Sequence, residues 1–230
     1  MNALLVGASP SPGAEALVSE LADGADIVIA VDGGGVLCRA AGVVPDVVLG
    51  DFDSLPESEL RTLEASGARV ARFPAEKDAT DLALAFDEAR KLAATRVTVT
   101  AASGGRLDHE LGVIAAMAAN DDLRPVLAEP SSRAWLLSVA GRNQLLLEGC
   151  GSVVSLLPVG GPAEVSAAGL RWPLEGVELG VVQTLGVSNI IVRTPAHVEV
   201  HSGRVLVVSP SVGDSQPAAE VAGPDGQTRV

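Results

Sequence analysis

Over the first 120 residues, short apolar runs alternate with stretches of helical spacing, and this alternation restricts the fold more than any other feature. "ALLVG" (3–7), "DIVIAV" (26–31), "DVVLG" (46–50), "ARVARF" (68–73) and "RVTVTAA" (96–102) read as strands. Residues 13–23, 34–42, 57–67, 80–94 and 107–120 read as helices between them. The pattern is clearest in 80–94, where apolar positions 82, 85, 86, 89 and 92–93 recur at helical spacing. Strands that are apolar throughout must be covered on both faces, as in a parallel sheet with helices on either side. The expected fold class is α/β, with an N-terminal mostly parallel sheet covered by helices.

Near residue 125 the pattern changes. "RPVLAE", "RAWLLSV", "NQLLLEG", "GSVVSLLPV", "HVEVHSG" and "RVLVVSP" are short, often alternating runs separated by Gly, Pro, Asn and Ser. Such runs predict a C-terminal antiparallel β-sandwich. The expected organisation is residues 1–130, then 131–210, then a disordered tail over 211–230, where turn formers show no periodicity.

The chain is 47% hydrophobic but only 2% aromatic, so its core is built from Val, Leu, Ile and Ala. A formal net charge of −13, from 29 acidic and 16 basic residues, argues against nucleic acid or an anionic membrane as the main partner. No run approaches the roughly 18 apolar residues of a membrane span, and the N-terminus lacks the basic start of a signal peptide. Cys38 and Cys150 have no metal-ligand spacing. A reduced, cytoplasmic protein is expected.

In open parallel sheets, ligands bind at the carboxyl ends of strands. Four such ends carry aspartate: "VDGGG" (31–35), "GDFDS" (50–54), "EKDATD" (76–81) and "ASGGRLDH" (102–109). If the strand continues through them, Asp51 and Asp53 share a side and suit a hard cation such as Mg²⁺. The alternative is a pair of solvated turn residues. Asp32 with Gly33 and Gly34 makes either a turn bare enough for a nucleotide to approach or a capped helix start. Asp81 opens a helix capped by Thr80 or Asp78, with Lys77 adding a cation. Gly104, Gly105 and Arg106 precede a helix N-terminus, a good anion seat. There Arg106 can clamp a phosphate and Asp108 can cap or orient it. His109 reads as a satisfied core histidine. Carboxylates beside a polyphosphate are tolerable with Mg²⁺ between them.

These motifs, as "DGG" (32–34), "GDFDS" (50–54), "DATD" (78–81) and "GGRLDH" (104–109), resemble in order those of the thiamin pyrophosphokinase (thiamine diphosphokinase) family. "GLRWPL" (169–174), "GVSN" (186–189) and "VEVHSGRVLVV" (198–208) are similar to its carboxyl-terminal signature. The resemblance implies transfer of pyrophosphate from ATP to the hydroxyl of thiamine, giving thiamine diphosphate and AMP. It implies a Mg²⁺ and catalytic cluster of Asp51, Asp53 and Asp81, with Arg106 catalytic as well. Nucleotide contacts would come from Asp32, Gly33, Gly34, Lys77, Asp78, Thr80, Gly104, Gly105, Arg106 and Asp108. Thiamine contacts would come from Trp172, Ser188 and Asn189, in a homodimer that binds thiamine where the subunits meet. Independently, an indole at Trp172 suits a cationic thiazolium, whereas Trp135 reads as core. Two rival readings are a pyrophosphokinase acting on a hydroxymethylpterin and a non-catalytic nucleotide-binding protein.

Overall fold

A computed structural model of the chain describes residues 1–9, 11–53, 55–74, 76, 78–211 and 218–221. The chain divides into two units, Met1–Pro130 and Ser131–Val230.

In the first unit the elements run β1 (Asn2–Val6), α1 (Ala14–Asp23), β2 (Ile27–Val31), α2 (Gly34–Ala40), β3 (Val47–Gly50), α3 (Glu57–Ala65) and β4 (Arg69–Arg72). They continue with α4 (Asp81–Lys91), β5 (Arg96–Thr100), α5 (Leu107–Ala119), a 3-10 turn and β6 (Val126–Glu129). The sheet order is β6-β5-β1-β2-β3-β4. Every pairing in it is parallel. β2 and β3 are buried at every position and β1 at all but its first, as continuous apolar runs require. The order reverses direction beside β1, and the chemistry collects at the carboxyl ends around that point.

Local signals explain the helices. Thr80 Oγ1 accepts from Ala83 N at 3.2 Å and caps α4, so Thr80 rather than Asp78 is its cap. Asp81 in the first turn and Arg90 and Lys91 in the last complement the helix dipole. Ala85, Phe86 and Ala89 bury the inner face of α4. Within α2, on its buried face, desolvation pushes the Cys38 thiol up to about 12 and so disfavours the thiolate.

The second unit is an antiparallel β-sandwich. Its strands are β7 (Ser132–Ser138), β8 (Gln144–Glu148), β9 (Val153–Pro158), β10 (Ala163–Ala168) and β11 (Leu174–Leu179), then β12 (Asn189–Ile190), β13 (Ala196–Ser202), β14 (Arg204–Pro210) and β15 (Ala219–Glu220). One sheet runs β12-β9-β14-β7 and the other β11-β10-β13-β8-β15. On β10, Ala163, Val165 and Ala167 are buried while Glu164 and Ala168 are exposed, the alternation of a one-sided strand.

Trp135 lies in this core, 1% exposed, as its sequence context predicts. Its indole Nε1 donates to Glu220 at 3.1 Å, and Arg142 reaches the same carboxylate at 2.8 Å. This corrects the expected disorder at residues 218–221: β15 pairs with β8, and Ala218 N donates to Ser209 Oγ at 2.8 Å. A two-residue strand has no period to detect. What holds it is a buried indole N–H and a guanidinium, each in need of an acceptor. The remaining tail positions, 212–217 and 222–230, lie outside the described residues. No helix among the described residues is long and apolar enough to cross a membrane.

Candidate active site

At the carboxyl end of the parallel sheet a cavity of about 700 Å³ opens. Its walls include Gly7, Ala8 and Ser9 after β1; Val31 and Asp32 at the end of β2; Thr80, Asp81 and Leu82 opening α4; and Ala101 and Ala102 after β5. Asp108, His109, Gly112 and Val113 of α5 complete it. Of the residues singled out from sequence, it brings together Asp32, Thr80, Asp81 and Asp108. Asp51, Asp53, Gly33, Gly34, Asp78, Gly104, Gly105 and Arg106 are not in its walls, and Lys77 lies outside the described residues.

Asp32 is a non-glycine residue with φ 46°, a conformation of order 1–3 kcal/mol in cost that surrounding structure must impose. Its main-chain N donates to Leu49 O at 2.8 Å, and its Oδ1 accepts a long bond from Phe52 N at 3.4 Å. That carboxylate lies directly against Gly50, where an added Cβ would stand 1.7 Å from Oδ1. Gly50 is therefore required by Asp32. Gly34 is likewise spoken for, because its Cβ would stand 2.0 Å from Val6 O. Its bare backbone seats α2 against β1; the expected approach of a nucleotide is not what demands a glycine there. Gly33 is the N-cap of α2.

Asp51 and Asp53 do not share a side by strand alternation. β3 ends at Gly50, and the intervening Phe52 has φ 58°. Asp53 N instead donates to Asp51 Oδ1 at 3.1 Å, an Asx turn. Phe52 is buried beneath, and Arg72 stands over its ring at 5.3 Å from the centroid. Asp51 is thus half-buried and Asp53 exposed, both presented by a turn. Among the described residues no three His, Cys, Asp or Glu side chains stand close enough for a protein-only metal cage.

After β5, Arg106 grips Asp108 through two bonds, Nε to Oδ1 at 3.1 Å and Nη2 to Oδ2 at 2.5 Å. Arg106 holds the Asp108 carboxyl below its ordinary range, and Asp108 in turn raises the guanidinium. Asp108 therefore orients Arg106. The main-chain amides before it are already engaged: Ala102 N and Ser103 N donate to Glu129 Oε1 at 2.9 and 3.1 Å, and Gly104 N donates to Glu110 Oε1 at 2.9 Å. Those three amides are therefore not available to an anion at this turn. His109 is exposed and faces the cavity, against the expectation of a core histidine.

In the second unit, Trp172 is 56% exposed, so it is not a core residue. Asn189, buried on β12, clasps its main chain: Oδ1 accepts from Trp172 N at 3.1 Å, and Nδ2 donates to Trp172 O at 2.6 Å. Ile190 N donates to the same Oδ1 at 2.9 Å. The amide of Asn189 thus serves Trp172, which corrects the expectation that it faces a ligand. Ser188 is exposed with φ 60°, its N donating to Ser155 Oγ at 3.0 Å. Arg171 stands 5.7 Å from the centroid of the Trp172 ring.

Sequence reading missed Gly7, Ala8, Ser9, Leu82, Gly112 and Val113. The strand-end rule reaches the first three when applied to "ALLVGAS", a turn without aspartate.

Comparison with known proteins gives one consistent outcome. Residues 18–127 match the family model for the thiamin pyrophosphokinase catalytic domain, and residues 143–205 match that for its vitamin B1 binding domain. A thiamine pyrophosphokinase of Bacillus subtilis (strain 168) is 27% identical over 183 residues, 78% of this chain and 85% of that protein. Thiamine pyrophosphokinase 1 of Arabidopsis thaliana is 28% identical over 174 residues, 72% of this chain and 65% of that protein. The crystal structure of the Bacillus subtilis thiamine pyrophosphokinase superposes with TM-score 0.78 at 24% identity, covering 93% of this chain and all of that one (100%). Thiamin pyrophosphokinase from Candida albicans gives TM-score 0.74 at 16% identity, covering 92% and 89%. At these identities the two structures show a shared fold.

Proposed function

The chain belongs to the thiamin pyrophosphokinase family, and from that premise we propose how its residues divide the family's reaction. The reaction moves the pyrophosphate of ATP onto the hydroxyl of thiamine, releasing AMP. The observation that carries this reading is the cavity, which gathers Asp32 from the end of β2, Asp81 from the start of α4 and Asp108 from the start of α5 around a volume suited to a bound small molecule. The hydroxymethylpterin alternative is not favoured, because the match to a vitamin B1 binding domain extends over the second unit.

Donor chemistry at the cavity fits Mg²⁺. Carboxylate oxygens dominate, no thiolate is present in the walls, and Mg²⁺ characteristically takes one or two carboxylates plus substrate phosphates. Asp81, in the walls, would hold it together with substrate phosphates; Asp51 and Asp53, also expected as ligands, stand on the turn after β3 outside those walls. When bound, Mg²⁺ supplies neutralisation of the polyphosphate charge. The chain itself positions the reactants. Asp81 is held at the first turn of α4 by the Thr80 cap and faces the cavity. Arg106, preset by Asp108, binds phosphate oxygens, and Asp32 is fixed between Gly50 and Phe52. Trp172 offers its exposed ring to thiamine, and Ser188 immediately precedes Asn189, which holds the Trp172 main chain.

Dimerisation belongs to the same proposal. The 180–187 segment exposes Val181, Val182 and Leu185, apolar surface that a second copy would cover, with thiamine where the subunits meet. Free Cys38 and Cys150 suit a reducing, cytoplasmic setting.

The test is an acceptor screen with ATP and Mg²⁺. AMP should appear when thiamine is added and not when a hydroxymethylpterin is added. AMP release independent of any acceptor would overturn the reading.

A further inference from the structure

The turn after β5 holds a conformation that its own sequence does not favour. Ala101, a non-glycine residue, has φ 52°, whereas Gly104 takes φ 89° without strain. Left-handed residues of this kind persist when neighbours over-determine them. On one side the neighbour is the β1 end: Ser9 N donates to Ala101 O at 2.8 Å, and that oxygen lies where a Cβ on Gly7 would come within 2.4 Å. On the other side the neighbour is Glu129, the last residue of β6.

Glu129 is 5% exposed. Its Oε1 takes the amides of Ala102 and Ser103, while Oε2 is buried without a hydrogen-bond partner among the described residues. A buried carboxylate is an expensive way to satisfy main-chain amides, so a fold that keeps it gains from the fixed geometry. Burial raises its pKa, and hydrogen bonding from Ala102, from Ser103 (amide and hydroxyl) and from Ala101 lowers it, burial being the largest cause. The anchored amides lie three and four residues before Arg106, and Ala102 is itself a cavity wall.

We propose that Glu129 is a positioning residue for the nucleotide: its buried carboxylate fixes the Ala101–Gly105 turn and so places Asp108 in the cavity wall with Arg106 bonded to it. It does not touch substrate. The proposal rests on the cavity being the nucleotide site and adds to that reading a residue from outside its walls.

The experiment compares Glu129→Gln, Glu129→Asp and Glu129→Ala. It measures the Kd of a non-hydrolysable ATP analogue with Mg²⁺, KM for ATP and for thiamine, and melting temperature. Glutamine keeps the Oε1 acceptor and should stay within about threefold of the parent in every constant, since less than 1 kcal/mol separates such values. Aspartate is one methylene short of the two amides, and alanine removes the acceptor. Both should raise the analogue Kd and the ATP KM about tenfold or more, with thiamine KM within about twofold, as misplacement of a clamping group predicts. If alanine does not fold, aspartate decides. A folded aspartate or alanine variant with parental analogue Kd overturns the proposal, as does a parallel rise in both KM values. A glutamine variant as weak as alanine also overturns it, because the role would then be charge rather than position. A parent that binds no analogue sinks both readings. A parent that binds it but makes no thiamine diphosphate sinks the assigned reaction and leaves positioning to be judged on Kd.

Discussion

The two units fix their exposed functional groups by opposite means. In the first, side chains are disciplined by backbone: Asp32 is wedged against Gly50 and bonded by Phe52 N, and Asp51 is bonded by Asp53 N. In the second, backbone is disciplined by a side chain: buried Asn189 clasps the main chain of Trp172 and leaves the indole in solvent. The difference suits the groups held. A carboxylate has a short reach and a charge that main-chain N–H groups can steer directly. An indole has one polar atom and is aimed by setting its Cα.

The comparison predicts that the first unit's site responds to a methyl group at Gly50 and the second unit's to loss of the Asn189 amide. Gly50→Ala places a Cβ in the space of Asp32 Oδ1, and turnover should fall by about a hundredfold or more while the chain folds. Steady-state kinetics beside circular dichroism checks this, and parental turnover would dissolve the wedge. Asp81→Asn should cost a comparable factor, about 10²–10³ in kcat, as expected for losing an electrostatic group of the reaction.

A smaller effect separates clasp from ligand in the second unit. Asn189→Ala leaves the Trp172 amide and carbonyl without their buried partner, at about 1–3 kcal/mol of stability, and also weakens thiamine binding. Trp172→Ala should weaken thiamine by about 1–2 kcal/mol, with nucleotide affinity and melting temperature near parental, because the ring is largely exposed. Were the alanine variant at 172 to melt several degrees lower, the indole would be packing rather than presenting itself. Smallest of the series, Thr80→Ala removes the α4 cap for about 1 kcal/mol, read by thermal melting.

Much of this was legible from residues alone, and the failures have physical causes. β1 to β5 could be read because short apolar runs alternating with helical spacing are properties of neighbours along the chain; β6, in "RPVLAE", read as one of the antiparallel runs, because its parallel pairing is with β5, about 30 residues earlier. The side on which Asp51 and Asp53 lie was not, because Phe52 leaves the extended region while being buried, which no alternation rule anticipates. Glu129 was invisible because the amides it holds are 26 and 27 residues earlier. β15 was missed because its stability comes from Trp135 and Arg142, roughly 80 residues upstream, and not from its own composition. Asn189 was found for the wrong reason: the residue mattered, but for its hold on a neighbour's main chain.

The chain has no tyrosine and two tryptophans, and they occupy contrasting surroundings. Trp135 is sealed and hydrogen-bonded to a carboxylate; Trp172 stands in water under a guanidinium. Ultraviolet emission from this protein is therefore the sum of a blue-shifted lamp in the core and a red-shifted lamp at the surface. Iodide should darken only the second, and denaturant should redden only the first. A flat cationic ring settling on Trp172 would be seen as loss of the red component at constant blue, so occupancy and unfolding can be followed in one cuvette without a label.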